Sequence, residues 1–134
     1  RVDQMAVPEI ARSIADMAER ARSKKPSPDD LAGGTFTVTN AWQYGTLFQL
    51  PIINQPQVAI LSTDGVARTP VVLVDDDGNE TVGIGSVGVL ALGWDHRAFD
   101  GAYAASFLRQ VRNVLETTDW AGDMAGDLDP GAEG

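Results

Sequence analysis

The residues best suited to catalysis lie in one short stretch, 95–101, which holds the only histidine of the sequence. Imidazole moves protons readily near neutral pH, and here His96 is surrounded by an arginine and two carboxylates. An apolar run over 87–94 leads into the stretch, and a helical pattern follows it. We therefore expect His96 at the end of a buried strand, a common position for catalytic groups.

The same stretch also has a purely structural interpretation, in which His96 is a satisfied histidine and Asp95, Arg97 and Asp100 form a local ion-pair cluster. Three features favour a functional interpretation. Charges that follow a strand predicted to be fully buried are costly unless they are paired or functional. Gly101 leaves space directly beside the motif. Arg97 is expected to neutralise one carboxylate and to fix the turn.

Composition excludes several classes of function. A net charge of −9 and a pI near 4.3 argue against nucleic-acid binding, which depends on cationic contacts with phosphates. Without cysteine, and with one histidine, the chain offers no disulfide, thiolate zinc site or multi-histidine metal site. No apolar run reaches the roughly 20 residues of a membrane span, and no signal-peptide pattern appears before the first predicted helix. We expect no metal, no membrane and a cytoplasmic protein.

Two other motifs fail on context. Residues 83–88 spell Gly-x-Gly-x-x-Gly, but a dinucleotide site needs a helix to open at its end, and an apolar strand follows here. Glycines that let a strand bend or a neighbour approach closely are the better explanation. Ser86 resembles a nucleophile elbow only weakly, because Ile84 replaces its first glycine.

Hydrophobic patterning predicts an α/β (α+β) fold with a mixed, largely antiparallel sheet covered by helices. In the strand 35–39, Phe36 and Val38 share one face and three threonines share the other. We expect residues 40–54 to form a long ordered loop and residues 121–134 to form an acidic flexible tail. The remaining predicted elements are a helix over 8–22 with one buried face, a short helix from 27 to 33, strands at 58–61, 70–74, 81–84 and 87–94, a hairpin turn at 77–78, and a final helix capped by Asp100 that fades at 117–118.

Residues 95–101, followed by an alanine-rich helix, closely resemble the active-site signature of the acyltransferase component of 2-oxo acid dehydrogenase complexes. The likeness extends to 30–40, which resembles the family's Gly-Gly-Thr-Phe-Thr-x-Ser/Thr-Asn strand, and to the loop and strand at 51–61. The shorter core His-x-x-x-Asp-Gly is shared with chloramphenicol acetyltransferase. The resemblance implies a chloramphenicol acetyltransferase-like fold, of which 1–120 form the C-terminal portion of the catalytic domain.

The resemblance also implies a reaction, namely acyl transfer between coenzyme A, as a substrate, and the dihydrolipoyl thiol of a separate lipoyl domain. His96 is then the general base, and Thr39 occupies the position of the oxyanion donor. Asp100 holds the geometry of the motif through ion pairing, with Arg97 as its candidate partner. No metal is needed.

The resemblance implies a homotrimer that builds a larger cage, with active sites between neighbouring subunits. It also implies the other dehydrogenase-complex components as partners. A non-catalytic structural core or assembly element is the alternative function. Gly93 and Trp94 stand where family members usually have serine followed by tyrosine or alanine, and residues 62–64 also diverge from the family pattern. Trp42 and Tyr44 replace a glycine-rich loop, and either plug the core or reshape the acyl pocket. The identity of the acyl group stays open among acetyl, succinyl and branched-chain groups.

Overall fold

The computed structural model describes residues 2–23, 27, 30 and 32–125. The chain divides into two compact units, 34–111 and a second one formed by 1–33 with 112–134. Within the described residues, the helices are α1 (Val7–Arg22), α2 (Gly101–Thr117) and α3 (Trp120–Ala125), the strands are β1 (Thr37–Thr39), β2 (Ala59–Thr63), β3 (Ala67–Val74), β4 (Glu80–Val87) and β5 (Leu90–Trp94), and short 3-10 helices cover Val2–Gln4 and Trp42–Tyr44.

The strands form a three-stranded sheet and a separate hairpin. In the sheet, of order β1-β2-β5, β1 pairs parallel with β2, and β2 pairs antiparallel with β5. The mixed, largely antiparallel prediction is thus confirmed. Strand β2 lies at the centre and is the best buried, because it has a neighbour on each side. The buried apolar residues of the described chain are Ala59, Ile60 and Leu61 of β2 and Ala104 of α2.

Strands β3 and β4 form the predicted hairpin, with the turn glycine Gly78 at φ +82°. Residues 83–88 lie in β4 and just after it, with no helix at their end, so a strand occupies the segment as expected. A Cβ on Gly83 would come within 2.3 Å of the Leu73 side chain on the paired strand. Close cross-strand packing therefore explains this glycine.

Helix α1 begins at Val7, one residue before the predicted start, with Pro8 in its first turn as expected, but its predicted buried face is wrong for this chain. No residue of α1 is buried, and Ile14 is 64% exposed. The predicted short helix lies mostly outside the described residues. Its start signal is present, because Ser27 N donates to Asp30 Oδ2 at 2.8 Å and Asp30 N donates to Ser27 Oγ at 3.3 Å.

Two predicted burial patterns differ from the structure. In β1 the alternation is present, but Val38 is 63% exposed and Phe36 41%, whereas the threonines Thr37 and Thr39 are half-buried. Every residue of β5 is half-buried rather than fully buried. Both strands flank β2, and an edge strand of a sheet with uncovered surface keeps part of its area in water.

The C-terminal region is helical further than predicted. Residues 121–125 belong to α3, and the rest of the predicted tail lies outside the described residues. The tail and the boundary at 120 stay predictions. In the described ranges, no helix is long and apolar enough to cross a membrane, and no group of histidine, aspartate or glutamate side chains is arranged to hold a metal ion.

Candidate active site

His96 lies in a tight turn between β5 and α2, and its side chain is exposed. Asp95 N donates to Val58 O at 2.8 Å, which extends the pairing with the central strand by one residue. Ala98 N donates to Asp95 O at 2.9 Å and closes the turn. The imidazole is therefore presented to solvent from a backbone anchored to the core of the sheet.

The turn is braced by an ion pair between Arg97 and Asp95. The guanidinium Nη2 and Nε lie 2.7 and 3.1 Å from Asp95 Oδ2, and the Arg97 backbone N–H donates to Oδ1 at 2.9 Å. These bonds from Arg97 lower the pKa of the Asp95 carboxyl to about 2. The carboxylate is thus ionised at neutral pH and fixes its side of the turn.

Asp100 has a different partner from the one expected by resemblance. Its Oδ1 accepts a hydrogen bond of 2.9 Å from Tyr103 N, so Asp100 caps α2, while Arg97 pairs with Asp95. The cap was predicted from the sequence; the pairing with Arg97 is not found. A Cβ on Gly101 would meet nothing within 4 Å, in agreement with the open space predicted beside the motif.

An aromatic cluster adjoins the turn. The Trp94 ring centroid lies 5.8 Å from that of His96 and 6.2 Å from that of Phe99, which in turn lies 5.4 Å from Tyr103. Trp94 Nε1 also donates to Phe99 O at 3.1 Å, across the turn that holds His96. Sequence reasoning noted Trp94 only as a departure from the family pattern and missed this contact.

Gly93, the other departure, is explained by its surroundings. A Cβ at this position would lie 2.8 Å from Pro51 O and 3.3 Å from Ile60 Cγ2. The loop before β2 thus passes directly over β5 at Gly93. A serine at this position would need the backbone of Pro51 to move.

Thr39 ends β1 and is half-buried. It is paired with Ser62 of β2, which is fully buried. The next residue, Asn40, donates from Nδ2 to Thr63 Oγ1 at 3.3 Å and accepts from Trp42 N at 3.0 Å. The end of β1 that carries Thr39 is therefore held by the two side-chain bonds of Asn40, one to Thr63 and one to Trp42.

A buried carboxylate near this strand end was missed by sequence reasoning. Asp64 is 5% exposed, and its Oδ2 accepts from Gln49 N at 3.0 Å and Ser62 Oγ at 3.3 Å. Its Oδ1 is buried without a partner among the described residues. The only sequence signal was that residues 62–64 diverge from the family pattern. Asp64 anchors the loop after Thr39 to the end of β2.

Trp42 and Tyr44 do not plug the core, because they are 53% and 79% exposed. Trp42 lies against Gly65, where a Cβ would overlap its ring. The first of the two interpretations given above is therefore wrong for this chain, and the second, a reshaped acyl pocket, stays a prediction.

The structure does not bring Thr39 and His96 together. Thr39 is level with Ser62 and hence with Ala91, whereas Asp95 is level with Val58, four residues away along β2. At about 3.3 Å per residue this is about 13 Å along the strands, and Thr39 is also two strand spacings, about 10 Å, away across the sheet. Within one copy, the predicted base and oxyanion donor lie at opposite ends of the sheet.

Comparison with known proteins shows the family. Residues 1–121 match the model of the 2-oxoacid dehydrogenases acyltransferase (catalytic domain) family. The chain is 47% identical, over 86% of its length, to the dihydrolipoyllysine-residue acetyltransferase component of the pyruvate dehydrogenase complex of Mycobacterium bovis, of which it covers 21%. It is 38% identical to a dihydrolipoyllysine-residue succinyltransferase component from Buchnera aphidicola, covering 85% of this chain and 27% of that protein.

Solved structures agree. A probable dihydrolipoamide acetyltransferase from Listeria monocytogenes matches 88% of this chain and 49% of its own, with 35% identity and a TM-score of 0.77. The Azotobacter vinelandii dihydrolipoamide acetyltransferase matches 85% of this chain and 45% of its own, with 35% identity and a TM-score of 0.74. The chain spans about a fifth of the first curated relative and about half of these solved chains. It belongs to the family of 2-oxoacid dehydrogenase acyltransferase catalytic domains, with the fold of their catalytic cores.

Proposed function

We propose that the protein containing this chain transfers an acyl group between coenzyme A and a dihydrolipoyl thiol in a 2-oxo acid dehydrogenase complex. The observation that carries this proposal is the anchored turn that presents His96 at the end of β5. The relatives support the reaction, since they are named acetyltransferase, succinyltransferase and branched-chain acyltransferase components of such complexes.

In this reaction His96 removes the proton of the attacking thiol. A thiol with a pKa of about 8.5 is only slightly ionised at neutral pH, so a positioned base increases the amount of nucleophile. The thiolate attacks the thioester carbonyl, and the negative charge develops on its oxygen. The Thr39 hydroxyl donates a hydrogen bond to this oxyanion. The tetrahedral intermediate then collapses, the other thiolate leaves, and the imidazolium returns its proton to that sulfur.

Each site is proposed to take His96 from one copy and Thr39 from a neighbour. The support is the separation of the two residues at opposite ends of the sheet in a single copy. A homotrimer that builds a larger cage would meet this need, and a relative of known structure is the cubic core of a pyruvate dehydrogenase multienzyme complex. Other components of the complex and the lipoyl domain are the proposed partners.

The roles of individual residues have support from the Azotobacter vinelandii protein. The study of that structure concerned a serine, a histidine and an asparagine in its catalytic mechanism, with the histidine and asparagine four residues apart. His96 and Asp100 have the same spacing. In the proposed site, Asp100 does not contact the substrate but orients the start of α2 behind the turn through its bond to Tyr103 N.

We favour acetyl as the acyl group. Two acetyltransferase components are 47% and 42% identical to this chain, whereas the succinyltransferase and branched-chain components compared are 36–39% identical. The test is a comparison of kcat/KM of the complete protein for acetyl-CoA, succinyl-CoA and a branched-chain acyl-CoA. A higher value for either of the last two would refute this choice.

The proposed function is tested with His96→Ala and Thr39→Ala variants of the complete protein. A general base contributes about 10²–10⁴-fold to the rate, and a single oxyanion donor contributes about 10²–10³-fold. Both variants should therefore lose at least about 100-fold in kcat. Full activity of His96→Ala, with normal assembly, would refute the role of the base. Normal assembly of the parent without any transfer would favour the non-catalytic assembly element instead.

Mixing the two variants tests the shared site. If subunits assemble at random in equal amounts, about a quarter of the sites receive an intact His96 from one copy and an intact Thr39 from its neighbour. Activity should therefore rise to about a quarter of the parental value. The matched control is a chain carrying both substitutions mixed with either single variant, which can form no intact site. Absence of recovery in the first mixture would show that both residues act within one copy.

A further inference from the structure

The exposed imidazole of His96 needs something to orient it. A general base must lie within hydrogen-bond reach of its proton, and an error of 1 Å can cost about 100-fold in rate. Among the residues that the structure describes, no hydrogen bond to the imidazole holds it in place. Its neighbour is the indole ring of Trp94, with the two centroids 5.8 Å apart and the planes inclined by 34°.

Trp94 is itself fixed at two points. Its Nε1 donates to the carbonyl oxygen of Phe99 at 3.1 Å, and the Phe99 ring is stacked with the indole at 6.2 Å and 16°. Trp94 precedes the turn and Phe99 ends it, so the bond spans the segment that carries His96. The indole thus contacts both the backbone that closes this segment and the imidazole within it.

We propose that Trp94 is a positioning residue for His96, which gives the imidazole a ring face to rest on and clamps the turn through the bond to Phe99. This inference rests on the proposed role of His96 as the base. Centroid distances of about 4.5–7 Å are those of favourable aromatic pairs. A contact of this kind narrows the orientations of an exposed ring and still leaves it able to reach a substrate.

The experiment compares Trp94→Leu with Trp94→Phe in the complete, assembled protein. Leucine removes the ring face and the N–H, and should lower kcat about 30-fold while both KM values change less than about twofold. Phenylalanine keeps a ring face and should lower kcat only about fivefold. Because in the proposed mechanism His96 acts on the thiol proton and Trp94 acts through His96, the loss should fall on kcat.

Trp120→Leu is the matched control. Trp120 Nε1 also donates to a backbone carbonyl five residues away, that of Leu115, at 3.0 Å, but Trp120 belongs to α3 and is not part of the turn that holds His96. Its kcat should stay within about twofold of the parent. The inference would be overturned if Trp94→Leu behaved like this control, if only KM rose, or if the Leu and Phe variants lost the same activity.

Two further comparisons keep the test decisive. If Trp94→Leu does not assemble, Trp94→Met fills more of the indole volume without a ring face, and its kcat should lie about fivefold below that of the Phe variant. Equal kcat for Met and Phe would overturn the inference. Full activity of His96→Ala would refute the proposed function itself, whereas an inactive His96→Ala beside a normal Trp94→Leu refutes only the role of Trp94.

Discussion

The substitution Gly93→Ala should destabilise the sheet next to the active-site turn. The added Cβ would lie 2.8 Å from Pro51 O and 3.3 Å from Ile60 Cγ2, closer than a carbon tolerates without movement of its neighbours. The first contact is with a backbone carbonyl, which cannot rotate away as a side chain can. Overpacking of this kind costs about 1–3 kcal/mol, so we expect the free energy of unfolding to fall by that amount.

The matched control for this substitution is Gly101→Ala. It adds the same methyl group at a position where a Cβ meets nothing within 4 Å, at the first residue of α2. Alanine is favoured over glycine in helices by about 0.5–1 kcal/mol, so this variant should be as stable as the parent or slightly more stable.

The assay is the apparent melting temperature of the assembled protein at one fixed subunit concentration, because oligomer stability depends on concentration. For a domain of this size, 1 kcal/mol corresponds to about 2–8 °C, so Gly93→Ala should melt at least about 2 °C below the parent. Far-ultraviolet circular dichroism before heating checks that the fold is retained. Equal melting temperatures of Gly93→Ala and Gly101→Ala would refute the close approach of Pro51.

Three further predictions concern carboxylates. Asp100→Ala removes the cap of α2 and should cost about 1 kcal/mol of unfolding free energy, whereas Asp100→Asn keeps an acceptor and should cost a few tenths, as measured by chemical denaturation. Because the folded pKa of Asp95 is about 2, below its usual value of 3.8, its ion pair stabilises the fold above about pH 4, and this contribution should be lost as the pH falls towards 2. Asp95→Asn should flatten this part of the stability profile, and an unchanged profile would contradict the pairing. Asp64→Ala leaves the buried Ser62 hydroxyl and the half-buried Gln49 N–H without their acceptor and should cost about 1–3 kcal/mol, with a smaller loss in Asp64→Asn, when unfolding of the two is compared in urea.

The positions of the strands along the chain could be predicted because their signals are local. The turn at Gly78 is an example, since an aspartate-glycine pair between apolar runs specifies a hairpin and the glycine has the positive φ that such a turn needs. The cap at Asp100 is another local signal. Each depends on residues within a few positions of one another, so the sequence contains the whole interaction.

Burial could not be predicted in the same way. Alternation in β1 separates Val38 from the threonines, but only the surface packed against the strand decides which face is covered, and Val38 is 63% exposed here. The same reason applies to α1, whose apolar stripe includes the exposed Ile14. The contacts of Gly93 with Pro51 and of Asp64 with Gln49 join distant segments, and no pattern along the chain encodes them.

The contacts that hold the two ends of the sheet are made within a single copy of the chain. At one end, the pair formed by Asp95 and Arg97 and the ring of Trp94 hold the turn of His96. At the other, Thr39 lies beside buried Ser62. Neither end depends on bonds to the other, since the central strand separates them. In the proposed assembly, association therefore needs only to bring two preformed halves together, and a substitution at one end should leave the other half able to complement an intact partner.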